Sequence, residues 1–234
     1  MKTWKTKSGY KIKRVLSGRS NVFLLTNGKK NILIDTSTDY MWNRLERRLN
    51  TLSINHIDYL ILTHSHKDHT ENAHRLREEY GPKVIIHKDE ASCLLFGETI
   101  IPEGTNKITR AMVKILAKYG APKITIKSCQ YDLLVDKRLD LNDYGFNAYI
   151  MHTPGHSPGS ISVIVDDEIA IVGDAMFGVF RCSVFPPFAV DEKQLVESWG
   201  KMLETKCSVF LPSHGSENTR KMVQKDYKNR IRHY

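Results

Sequence analysis

Two short apolar runs, "NVFLLT" and "NILIDT", flank Asn27-Gly28 near the start of the chain. Asn-Gly favours the positive φ angles of a tight turn, so the two runs are expected to form a hairpin. From Asp39 onward the period changes: Met41, Trp42, Leu45, Leu49 and Leu52 recur at helical spacing, which predicts an amphipathic helix. The continuous apolar run in "DYLILT" then reads as a strand covered on both faces. "ENAHRLREEYGP" reads as a helix stopped by Gly81 and Pro82, and "KVIIH" as the next strand. The order is β, α, β.

Between Ala91 and about Leu139 the pattern loosens. Only Ile108, Ala111, Met112, Ile115 and Leu116 give a clear amphipathic helix there, and about 91–139 is expected to be an insertion or lid. Strands resume with "FNAYIMHT". "SISVIV" and "EIAIVG" then meet across Asp166-Asp167 as a second expected hairpin. Leu195, Val196, Trp199, Met202 and Leu203 mark a further helix, "SVFLPSHG" a strand with its exit loop, and Val223, Tyr227 and Ile231 the buried face of a last helix. No linker-like segment interrupts this alternation, so the expectation is one α/β layered domain over 1–234.

Composition changes this picture little. No apolar stretch of signal length follows the basic "MKTWKTKSGYK", and no run is long enough to span a bilayer. Cys93, Cys129, Cys182 and Cys207 are scattered without a Cys-x-x-Cys pair, so neither a disulfide framework nor a structural zinc knuckle is indicated. A cytoplasmic protein that does not engage membranes is expected. The net charge of +9 lies at the ends: residues 1–30 hold nine Lys or Arg and no acid, leaving the middle net negative. Basic ends can bind polyanions. No nucleic-acid-binding motif accompanies them, and solvated lysines are the simpler reading.

The chemistry is concentrated in "LTHSHKDHT". His64 and His66 lie two apart just after a strand, a spacing that in extended backbone turns both imidazoles the same way, so they can share a metal. Asp68 and His69, displaced along the chain, suit a second ion better than a crowded shell around one. His156 in "HTPGHSPGS", Asp174 in "IVGDAMF" and His214 in "FLPSHG" each follow an apolar strand. Loops at strand ends on one edge of a sheet are where residues distant in sequence converge. Pro154, Gly155, Pro158 and Gly159 sharpen the turn that presents His156.

"THSHKDH", "TPGHSPGS", "GDAMF" and "PSHG", in this order, resemble the metallo-β-lactamase superfamily. The resemblance implies a four-layered αβ/βα sandwich with two divalent metal ions in a groove at the edge of its sheets. His64, His66 and His156 would hold the first ion, Asp68, His69 and His214 the second, with Asp174 between them. It also implies a hydrolase in which metal-bound hydroxide is the nucleophile, with Asp68 as a catalytic group that orients it and passes a proton to the leaving group. Nitrogen and oxygen donors suit zinc and also iron or manganese.

"GDAMF" is similar to the corresponding segment of the glyoxalase II branch, and lactonases share the fold. The expected substrate is therefore a small ester, thioester or lactone. A phosphodiesterase or nuclease, and a non-catalytic metal-binding module, are the alternatives. In "FGVFRCSVFPPF", Phe177, Phe180 and Arg181 are the candidate substrate-lining residues, apolar rings beside one cation. Of the remaining histidines, His56, His74, His87, His152 and His233, none is expected to bind metal, and His152 is a candidate to steady a ligand from behind.

Overall fold

A computed structural model describes residues 1–99, 103–118 and 125–234, the side chains of Leu116 and Ala117 excepted. β1 (Thr3–Lys5), β2 (Lys11–Leu16), β3 (Val22–Thr26) and β4 (Asn31–Ile34) form an antiparallel meander. β5 (Tyr59–Ile61), β6 (Lys83–His87) and β7 (Leu133–Val135) add parallel pairings, completing a seven-stranded sheet in sequence order. The second sheet has six strands. It contains β8 (Arg138–Asp140), β9 (Ala148–His152), β10 (Ile161–Val165), β11 (Ile169–Gly173), β12 (Val209–Pro212) and β13 (Asn218–Thr219), ordered β13-β12-β11-β10-β9-β8. There only β11 and β12 are parallel neighbours.

Parallel neighbours need a crossover, and the helices supply it. α1 (Trp42–Thr51) joins β4 to β5, α2 (Lys67–Thr70) and α3 (Ala73–Tyr80) lie between β5 and β6, and α4 (Lys88–Phe96) and α5 (Lys107–Lys118) follow β6. α6 (Glu192–Glu204) joins β11 to β12, and α7 (Arg220–Arg230) follows β13. α6 starts at a polar cap, Asp191, whose carboxylate accepts the Gln194 N–H at 2.9 Å.

Strand alternation divides the apolar side chains into layers. Phe23, Ile32, Ile34, Ile61 and Ile85 of the first sheet pack with Ile150, Ile161, Val163, Ile171 and Leu211 of the second. Leu24, Leu33, Leu60, Val84 and Ile86 point the other way, onto Trp42, Leu45, Leu49, Leu76 and Leu94 of α1, α3 and α4. On the far side Ile164, Ala170, Val172 and Phe210 meet Leu195, Val196, Trp199 and Met202 of α6 and Val223 of α7. The order is helix, sheet, sheet, helix, the expected αβ/βα sandwich. The inner strands β3, β4, β5, β6, β10, β11 and β12 are covered on both faces, which explains why they read as near-continuous apolar runs.

Both expected hairpins form, β3 with β4 and β10 with β11, and Asp166 and Asp167 adopt φ of 54° and 53° at the second turn. The stretch 91–139 is less detached than an insertion. Its first residues belong to α4, whose Ala91 and Leu94 enter the outer core, and β7 and β8 sit at the edges of the two sheets. What leaves the layers is the part around α5. The side chain of Leu116, expected on the apolar face of that helix, and residues 100–102 and 119–124 lie outside what the structure describes. Among the described residues no helix is long and apolar enough to cross a membrane.

The intersheet core should dominate stability. Ile150→Ala, at a position with no solvent exposure, is expected to cost about 2–5 kcal/mol. Chemical denaturation would register this as a lowered midpoint, and an unchanged midpoint would contradict the assignment of this layer.

Candidate metal centre

The sandwich brings several strand exits to one edge. Asp35 follows β4, His64 follows β5, Asp174 follows β11 and His214 follows β12, while His156 lies in the loop after β9. His64, His66, His69, His156 and Asp174 are buried, with His214 and Asp68 more open at 17% and 23% side-chain exposure. All seven residues singled out in the sequence converge here.

The loops are fixed from behind. The Trp199 indole N–H donates to the carbonyl of Ala175 at 2.7 Å, next to Asp174, and the Ser198 hydroxyl donates to the carbonyl of Pro154 at 2.7 Å, close to His156. α6 therefore holds two of the converging loops. Gly155 makes that contact possible: its φ is 128°, and a Cβ there would stand 2.3 Å from the backbone nitrogen of Leu195. Only glycine allows the loop to lie this close to the helix.

Three of the imidazoles are oriented by the nitrogen that faces away from the centre. His69 Nδ1 is 2.8 Å from Asp35 Oδ2, His156 Nδ1 is 2.9 Å from the carbonyl of Phe188, and His64 Nδ1 is 3.1 Å from the Thr63 hydroxyl. These partners leave Nε2 of all three pointing inward. Asp35 also accepts from the Thr63 N–H at 2.9 Å, the Thr63 hydroxyl at 2.9 Å and the Ser213 hydroxyl at 3.0 Å. A single buried carboxylate thus joins the loops after β4, β5 and β12 behind His69.

The inward atoms suit metal ions better than hydrogen bonds to one another. His66 Nδ1 is approached by His64 Nε2 at 2.9 Å and by His156 Nε2 at 3.0 Å. A ring nitrogen has one proton or one lone pair in that direction, so it cannot bond both. Asp174 has oxygens 3.6 Å from His69 Nε2, 3.5 Å from His156 Nε2 and 3.3 Å from His214 Nε2. Asp68 lies 3.7 Å from His69 Nε2 and 3.5 Å from His214 Nε2. Two donors bound to one ion at about 2.0–2.1 Å in tetrahedral geometry stand roughly 3.4 Å apart. His69 Nε2 and Asp174 Oδ1 are fully buried and have no hydrogen-bond partner. Unsatisfied polar atoms are costly in an interior unless something binds them. His64, His66 and His156 form one set able to hold an ion, Asp68, His69 and His214 another, with His64, His69 and Asp174 a third overlapping both.

Charge divides the cluster. Burial, reinforced by neighbouring imidazoles, holds His64 and His66 well below the usual histidine range, and burial also lowers His156. These rings are neutral, with lone pairs to give. Burial opposes charge on His69 and His214 too, but the carboxylates together outweigh it, Asp174 with Asp35 and Asp68 at His69 and Asp174 with Asp68 at His214, and both are raised. Burial would raise Asp174, yet His214 and His69 hold it well below the ordinary carboxylate range.

A cleft of about 860 Å³ opens over the centre. Phe177 lines it and stacks on His214, with ring centroids 4.6 Å apart. Phe180 and Arg181 do not line it. The Gly178 N–H donates to the carbonyl of His214 at 2.7 Å, and past that anchor the chain turns outward, leaving both side chains exposed. Arg19 and Lys67, the latter paired with Glu71 at 3.0 Å, are the cations at the cleft instead, and Tyr40 and Phe188 add further rings. Of the other histidines, His152 stacks on His87 with centroids 4.0 Å apart and bonds the carbonyl of Pro158 at 2.8 Å, steadying the loop that carries His156. His87, Asp89 and His152 also approach one another. However, His87 Nδ1 caps α4 by accepting the Asp89 N–H and Nε2 bonds the carbonyl of Asp136, so that ring has no nitrogen free.

The metallo-beta-lactamase superfamily profile matches residues 17–214. The chain belongs to this superfamily. A probable metallo-hydrolase of Methanocaldococcus jannaschii is 34% identical over 158 residues, covering 68% of each chain. The hydroxyacylglutathione hydrolase GloC of Haemophilus influenzae is 29% identical over 170 residues, 70% of this chain and 69% of that one. Among solved structures, an archaeal superfamily protein from Sulfolobus tokodaii superposes with a TM-score of 0.62 at 23% identity over 91% of this chain and 80% of that one. The BLEG-1 B3 metallo-beta-lactamase gives 0.65 at 22% identity over 92% and 96%. These structures share the metallo-beta-lactamase fold, and the chain is a metallo-hydrolase of that superfamily.

Metal uptake should release protons, because His69 and His214 hold theirs more tightly than free imidazole. Affinity is expected to fall from about pH 8 to about pH 6, by up to tenfold per unit for each proton displaced. Competition titration with a chromophoric chelator across that range checks this, and a pH-independent affinity would refute it.

Proposed function

We propose that the chain is a dinuclear metal-dependent hydrolase of a small ester, thioester or lactone. His64, His66 and His156 would hold one ion, Asp68, His69 and His214 the other, with Asp174 between them. The observation that carries this is the convergence of seven donors, with His69 Nε2 and Asp174 Oδ1 buried and unbonded. Zinc is the favoured metal, with iron or manganese also suited to the donor set. Bound there, divalent ions lower the pKa of water toward roughly 7 and polarise the oxygen on which charge develops.

The chain's own residues supply the rest. Asp68 is the more open of the two carboxylates and faces the cleft. It is placed to hold the proton of the attacking water and return it to the leaving group, an alkoxide or thiolate. Phe177, Phe188 and Tyr40 offer an apolar wall, and Arg19 a cation for an anionic end of the substrate. The similarity to a hydroxyacylglutathione hydrolase supports thioesters within the class. All four cysteines are free thiols, consistent with the reducing cytoplasm proposed for this chain.

A panel of esters, thioesters, lactones and phosphodiesters tests the reading. Turnover of at least one acyl substrate is expected, abolished by a chelator, restored by zinc, iron or manganese, and lost in His66→Ala. Cleavage of phosphodiesters alone would replace the assignment with the nuclease reading. Arg19→Ala should raise KM for a carboxylate-bearing substrate about tenfold, the size of one charge-assisted hydrogen bond, with kcat nearly unchanged. Equal effects on charged and neutral substrates would remove Arg19 from recognition.

A further inference from the structure

Glu90 is a buried carboxylate with no part in the donor set, 1% exposed. It occupies the first turn of α4. A glutamate there ordinarily turns back to the helix's own start. Glu90 does not. Its Oε2 accepts the backbone N–H of Ser65 at 3.0 Å and, in a shorter contact, the Ser65 hydroxyl. Its Oε1 accepts the Ser157 hydroxyl at 2.6 Å and the backbone N–H of Gly159 at 3.0 Å. Ser65 lies between His64 and His66, and Ser157 follows His156.

Four donors fill the acceptor positions of one carboxylate, two from each loop. The loops are distant in sequence, and Glu90 approaches both from the helix packed beside them. Gly159 makes room: a Cβ there would stand 2.5 Å from Glu90 Cγ. The Ser157 hydroxyl lies 2.8 Å from that of Ser160, which accepts the Ser157 N–H at 3.1 Å, so the turn is braced within itself as well. Across the gap that Glu90 spans, His66 Nδ1 stands 3.0 Å from His156 Nε2.

We propose that Glu90 is a positioning residue that sets the register between the His64–His66 loop and the His156 loop, and so the affinity of the site those three histidines form. The proposal rests on the metal-site reading above. In Glu90→Gln one acceptor oxygen becomes an NH2 group, to which a serine hydroxyl can turn as acceptor but a backbone N–H cannot, so one loop loses its main-chain bond while the side chain's volume is kept. Loss of a hydrogen-bonding group behind metal ligands typically weakens binding about ten- to hundredfold.

The test is a zinc-binding titration by chelator competition on the full chain, run beside thermal denaturation of the metal-free protein. Glu90→Gln is expected to bind the tighter zinc ion at least tenfold more weakly. Leu94→Ala, on the core-facing side of the same helix, should lower the melting temperature and leave zinc affinity within about twofold. Should Glu90→Gln not fold, Ser65→Ala and Ser157→Ala each remove one hydroxyl donor, with an expected weakening of about threefold or more. Wild-type affinity in a folded Glu90→Gln, or in both serine variants, would overturn the proposal, as would an equal loss in Leu94→Ala. A wild-type chain that takes up no zinc, iron or manganese would instead bring down the metal-site reading beneath it.

Discussion

The structure turns on one buried carboxylate. Asp174 is 5% exposed and faces imidazole nitrogens of His69, His156 and His214 at 3.3 to 3.6 Å. A charge removed from water must be compensated where it sits. Here the compensation comes from residues on separate loops, so the centre exists only if the sandwich delivers those loops together. The layers do this by ending β4, β5, β9, β11 and β12 toward one edge, and α6 fixes the loops of Asp174 and His156 through Trp199 and Ser198.

The carboxylates form a graded series. Asp174 lies among the imidazoles and is held low by His214 and His69 against the effect of burial. Asp35 stands one bond further out, satisfied by His69, Thr63 and Ser213. Asp68, at 23% side-chain exposure, is the one of the three most open to the cleft. Chemically similar side chains thus serve different ends because depth and hydrogen-bond partners differ. The same logic separates the histidines: burial holds His64, His66 and His156 low, whereas Asp174 and its neighbouring carboxylates raise His69 and His214.

Much of this was legible in the sequence, and what was not had physical reasons. Apolar period exposed α1, α3, α6, both hairpins and the buried strands, and motif spacing picked out the seven residues that converge at the cleft. β1 and β2 were missed because Thr3–Lys5 and Lys11–Leu16 alternate apolar residues with lysines and an arginine that look outward, so the segment reads as a basic terminus. Asp35 in "NILIDT" looks like the polar residue that ends any strand, yet it folds inward with φ of 61°. A turn residue seen through its tertiary contacts has no local signature. Arg181 looked like a pocket cation because it follows the Asp174 motif closely. The anchor at Gly178 turns it away, and Arg19, far earlier in the chain, lines the cleft.

The proposed dinuclear centre requires these loops to be preset for two divalent ions at one edge of the sandwich. Crystals of the zinc-loaded chain measured on both sides of the zinc absorption edge test it most directly. Two anomalous peaks are predicted, one among His64, His66 and His156 and one among Asp68, His69 and His214, with Asp174 between them. A single peak at saturating zinc, or strong peaks elsewhere with none at this edge, would contradict the account.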